Sequence, residues 1–137
     1  NAFSRLPLAA KNRTEFLRVV STINAGGGTP LGRAMQMAHA MLVLQARTQL
    51  GYGEYHIVVV TDGEANNPRA LADAVDAVLK DSPIIIHTIG FCIDEKHSLN
   101  QPGRTLYKTA DNPQELRRSL QEVLAELETF DVTTFGK

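Results

Sequence analysis

Apolar positions recur along this chain in two periods, and the periods define its elements. Phe16, Val19, Val20 and Ile23 follow the i, i+3, i+4, i+7 spacing of an amphipathic helix. Asn12 with Glu15 three residues later predicts a capping box at its start. This helix is expected to run to about Asn24, where "AGGGTP" stops it. Thr29 before Pro30 reads as an N-cap followed by proline at the first helical position. The second helix turns Leu31, Ala34, Met35, Ala38, Met41 and Leu42 inward, with Met35, Met37 and Met41 as core filler, and ends near "GYG" at 51–53. A third starts at Pro68, has Leu71, Ala74, Val75 and Val78 on one face, and ends near Lys80. The last, "DNPQELRRSLQEVLAELE", is capped and carries Leu116, Leu120, Val123, Leu124 and Leu127 inward.

Residues 57–60 include three consecutive valines and do not alternate with polar residues. They are expected to form a parallel strand buried on both faces. "IIIHTIGF" at 84–91 reads the same way, with His87 as a satisfied core histidine, and "TLYKTA" is a weaker third strand after a polar loop at 92–103. Strands separated by helices imply βαβ units, a parallel sheet and right-handed crossovers. In such α/β sheets, binding residues lie beyond the C-terminal strand ends, where Asp62 stands.

Length and charge narrow the picture. A chain of 137 residues suits one domain with a real core. A net charge of −1 gives no overall case for nucleic acid, and the locally basic start (Arg5, Lys11, Arg13, Arg18) reads as a solvated face. Cys92 is the only cysteine, so no intrachain disulfide forms. No apolar run approaches the roughly 18 residues a membrane span needs, so no membrane contact is expected. The chain opens on Asn1-Ala2 rather than Met, without a signal peptide. Residues 1–2 are therefore expected to be a vector remnant, 3–128 a partial domain, and 129–137 a tail whose two phenylalanines pack back on the body.

Candidate chemistry is sparse. Cys92, Asp94, Glu95 and His97 share one loop, but zinc needs three or four converging ligands and the spacing matches no recognised finger; a polar surface loop is expected. The glycine loop before Thr29 could cradle a phosphate, yet no Gly-x-Gly-x-x-Gly and no Walker lysine follow. No nucleophile–base pair stands out, so the chain is not expected to be an enzyme.

"GGGTPLGRAM" at 26–35, "IVVVTDGEAN" at 57–66, "IIIHTIGF" at 84–91 and "YKTADNPQELRRSL" at 107–120 keep one order and spacing. In these the chain resembles the von Willebrand factor A (vWA) family. The resemblance implies a Rossmann-like α/β fold, a mostly parallel sheet with helices on both faces. It also implies a metal-ion-dependent adhesion site fed by three loops. Thr29 corresponds to the threonine of the second loop and Asp62 to the aspartate of the third. A Mg²⁺ ion there leaves one position for a carboxylate from a partner protein, and hydroxyl and carboxylate oxygens suit so hard an ion. Two structural roles stay open: Thr29 as a helix cap, Asp62 as a cap of the turn after the strand.

The first loop's Asp-x-Ser-x-Ser is absent; the nearest string, "DVTTF" at 131–135, follows no apolar strand. "FS" at 3–4 looks like the end of the family's second strand. The expectation is thus a truncated domain, whose Mg²⁺ belongs to the intact parent and is not held by this chain. Protein binding through a partner's acidic residue is the leading function. The strand edge near 56–61 is expected to pair into a homodimer. The alternatives are a metal-independent assembly module and a hydrolase or nucleotide-binding protein on a doubly wound sheet.

Overall fold

Among the described residues the elements follow in the order α1 (Arg13–Ser21), α2 (Leu31–Thr48), β1 (Tyr55–Thr61), α3 (Pro68–Asp81), β2 (Ile84–Phe91), β3 (Leu106–Ala110) and α4 (Pro113–Glu128). They come from a computed structural model that describes residues 2, 4–9, 12–24 and 26–128. The strands form a three-stranded parallel sheet of order β1-β2-β3, so β1 is an edge of the described sheet. In β2 and β3, His87 is opposite Leu106 and Phe91 opposite Ala110. The α/β class is as the sequence predicts. The chain divides into two units.

The first unit, Asn1–Ile57 with Glu64–Ile84, contains α1, α2 and α3. Helix α3 starts where expected because Pro68 presets the first turn and the Asn67 side chain accepts the Ala70 N–H at 3.0 Å. Its four apolar positions, Leu71, Ala74, Val75 and Val78, are all buried. Helices α2 and α3 pack on each other, and Gly32 marks the close approach: a Cβ there would lie 3.0 Å from the Ala70 carbonyl carbon.

Helix α1 departs from expectation. Asn12 makes no side-chain cap, and Glu15 pairs with Arg18 instead of returning to the helix start. The helix ends at Ser21, three residues early, because the Thr22 hydroxyl donates to the Val19 carbonyl at 2.7 Å. Of its apolar face Val19 is buried, while Phe16, Val20 and Ile23 are about half exposed. Thr29 is not the N-cap of α2. Pro30 holds that position, has no side-chain oxygen to offer, and starts the helix at Leu31. Ala34 is exposed rather than inward.

The second unit, Val58–Gly63 with Ile85–Lys137, holds the sheet apart from the first three residues of β1 and the first of β2. Its core joins Ile89, Ala110 and Val123, with Phe91, Leu116 and Leu120 against them. Helix α4 lies on β3. It is capped in both directions: Asn112 Oδ1 accepts the Glu115 N–H at 2.9 Å, and the Glu115 carboxylate accepts the Asp111 N–H at 2.8 Å. Lys108 on β3 meets Glu122 at 2.8 Å. His87 is buried and partnered, as expected.

Strand β1 is not buried on both faces. Thr61 is buried, but Val58 and Val60 are 37% and 48% exposed. The alternation means that one face of this edge strand has no cover among the described residues. Leu124 is also exposed rather than inward. The Leu127 side chain, Phe3 and residues 129–137 lie outside the described residues, and with them the expected packing of the tail.

Candidate functional site

Strand β1 ends in a turn that Thr61 closes. Its buried hydroxyl donates to the Gly63 carbonyl at 2.8 Å and accepts the Gly63 N–H at 3.3 Å, a local turn that competes well with an extended backbone. Asp62 therefore does not cap this turn. It is exposed, and among the described residues no hydrogen bond or ion pair engages its carboxylate.

A second donor reaches the same carbonyl from 34 residues away: His97 Nε2 lies 3.1 Å from the Gly63 oxygen. His97 is buried, accepts the Leu99 N–H at Nδ1 (3.0 Å), and stacks on Tyr107 with ring centroids 5.9 Å apart. The loop at 92–103 is polar as expected, with Cys92, Asp94 and Glu95 exposed, but its histidine points inward. Among the described residues no three His, Cys, Asp or Glu side chains form a metal-holding group.

Thr29, in the first unit, is held by Asn66. The Asn66 amide oxygen accepts the Thr29 N–H at 2.9 Å, and the Asn66 N–H donates to the Thr29 carbonyl at 3.0 Å. The side-chain amide thus imitates a strand partner for one residue. Gly28 makes room for it, since a Cβ there would overlap the Asn66 amide. Among the described residues the Thr29 hydroxyl makes no hydrogen bond. Sequence reasoning missed Asn66. Its only signal is its place at the end of "TDGEAN", because the partner is 37 residues distant.

Thr29 belongs to the first unit and Asp62 to the second. In both, the backbone is pinned and the side-chain oxygen is uncommitted. By type, a hydroxyl and a carboxylate oxygen are each donors that a hard cation takes.

The family model of the von Willebrand factor type A domain matches residues 4–135. The chain belongs to this family. No curated protein and no solved structure matches it. The motifs at 26–35, 57–66, 84–91 and 107–120 therefore led to the right family. A vWA domain is in general a protein-interaction module, which sets the broad function. Among the described residues no helix of this vWA chain is long and apolar enough to cross a membrane.

Proposed function

We propose that this vWA chain binds a protein partner and is not an enzyme, and that Thr29 and Asp62 are ligands of a Mg²⁺ ion in the complete site. The supporting observation is that both residues have lost their structural explanations. Thr29 does not cap α2, and Thr61 rather than Asp62 closes the turn. What remains is a pair of oxygens on anchored backbone. When bound, Mg²⁺ supplies an open coordination position for a carboxylate of the partner.

Two oxygens are too few for an ion that dehydrates reluctantly, so this chain alone binds weakly. Calorimetry with Mg²⁺ or Mn²⁺ is expected to show no site tighter than about 0.1 mM. At millimolar Mn²⁺, amide broadening is expected to centre on Asp62 and vanish in Asp62→Ala. A tight site that needs Asp62 contradicts the two-oxygen account. Broadening confined to Asp94, Glu95 and Asp111 contradicts the assignment of ligands.

A second role, self-association, is favoured by β1 itself. It is an edge of the sheet among the described residues, and Val58 and Val60 are exposed on it. An apolar edge with unpaired backbone groups templates pairing with another chain. A two-fold dimer joined near 56–61 is the form this takes. Sedimentation at micromolar concentration is expected to show a dimer. A clean monomer with the amides of 57–60 protected from exchange contradicts it.

A further inference from the structure

We propose that His97 is a positioning residue for Asp62, tying the loop at 92–103 to the turn that presents the carboxylate. Its functional meaning rests on the ligand role of Asp62, whereas the tie itself is a property of the second unit.

The geometry assigns the tautomer. A backbone N–H can only donate, so Leu99 at 3.0 Å makes Nδ1 an acceptor. A carbonyl can only accept, so Nε2, 3.1 Å from the Gly63 oxygen, carries the proton. One neutral ring satisfies both bonds, and both of its nitrogens are thereby used.

The ring is also fixed in space. It is 4% exposed, it stacks on Tyr107, and the Tyr107 hydroxyl donates to the Asp94 carbonyl at 3.0 Å. The loop around it closes on itself. The Thr105 hydroxyl donates to the Leu99 carbonyl, and the Asn100 amide donates to the Glu95 carbonyl at 2.7 Å. A carbonyl has two lone pairs, and that of Gly63 receives both the Thr61 hydroxyl and the His97 ring. Asp62 thus lies between two anchored residues, and a ligand meets its carboxylate on backbone that is already ordered.

Two conservative variants separate the two bonds. His97→Asn puts an amide oxygen where Nδ1 was, keeping the Leu99 bond and losing the Gly63 bond. His97→Gln reaches Gly63 with an N–H and gives up Leu99. In the whole chain, the Gly63 carbonyl ¹³C resonance is expected to move in His97→Asn, because the lost bond ends on that oxygen, with amide exchange at Leu99 unchanged; a lost Leu99 bond would raise that exchange about tenfold. In His97→Gln the pattern reverses. Equal changes at the Gly63 carbonyl and the Leu99 amide in both variants would make His97 an ordinary core residue and overturn the proposal. So would an unmoved Gly63 carbonyl resonance in His97→Asn.

The wild-type chain provides a check that no variant can spoil by misfolding. Imidazole ¹⁵N shifts are expected to show the Nε2–H form, and an Nδ1–H form overturns the assignment. Broadening by millimolar Mn²⁺ at Asp62 is expected to weaken in His97→Asn and persist in His97→Gln. If the wild type shows no such broadening, the ligand role of Asp62 fails, while the Gly63 carbonyl and Leu99 amide readouts still decide whether the tie exists.

Discussion

Helices α1 and α4 open on nearly the same string. Asn12-Arg13-Thr14-Glu15 is followed by Arg18, and Asn112-Pro113-Gln114-Glu115 by Arg118. Only the second string builds its cap among the described residues. One difference is the proline. The residue before a proline is driven from the helical region to extended backbone, which is what an N-cap needs. Asn12, before an arginine, rests at φ −93° and ψ 18°, and its amide turns to the Pro7 carbonyl. The other difference is cover. Helix α4 sets Val123 into a core with Ile89 and Ala110, whereas Phe16 on α1 is 53% exposed. A local pattern nominates a helix start; backbone restriction and a covering layer decide whether it is built.

Truncation should separate the two helices most. Val123→Ala removes buried methyl groups and is expected to cost about 2 kcal/mol in urea unfolding. Phe16→Ala, though a larger deletion, is expected to cost less than about 0.5 kcal/mol, as surface changes do. A large cost at Phe16 would mean that α1 is covered in solution.

The caps come next. Asn112→Ala is expected to lose about 1 kcal/mol, and Asn12→Ala nothing resolvable, by the same unfolding assay. If proline is the cause, Arg13→Pro should give α1 its cap and add about 0.5 kcal/mol. No gain in stability, with the Asn12 resonances unmoved, would return the difference to tertiary cover alone.

Acid provides the smallest effect and a sign. The Asp111 N–H, and then Asn112, hold the Glu115 carboxyl below its ordinary range; Lys108 does the same for Glu122, and Arg18 for Glu15. A carboxyl depressed in the folded state contributes stability above the ordinary glutamate range and loses it as pH falls through the depressed value. Stability should therefore slope downward on the acid side. Added salt should flatten the shares of Glu15 and Glu122, which rest on exposed ion pairs, more than that of Glu115, which rests first on a backbone N–H.

Helix α3 was legible because its proline and its period are local, and Gly32 let α2 cover it, although its Asn67 cap was not read. The strands were legible as apolar runs, but the open face of β1 was not, since three valines read alike whether or not a layer covers them. Of the candidate site, Asp62 at a strand end was readable from "VVVTDG". The restraint on the Thr29 and Asp62 loops was not. Asn66 and His97 act on partners 37 and 34 residues away, and nothing local marks such bonds. Thr29 was misjudged as a cap because Thr-Pro before a helix is a frequent cap string, and here the helix starts one residue later.

We propose that Asp62 is kept for a ligand and not for the fold. The most direct test is the unfolding free energy of Asp62→Ala beside the wild type. With no partner for the carboxylate among the described residues, the change is expected to stay within about 0.5 kcal/mol. A loss of about 1 kcal/mol or more, the size of a true capping bond, would contradict the account and make Asp62 a structural residue.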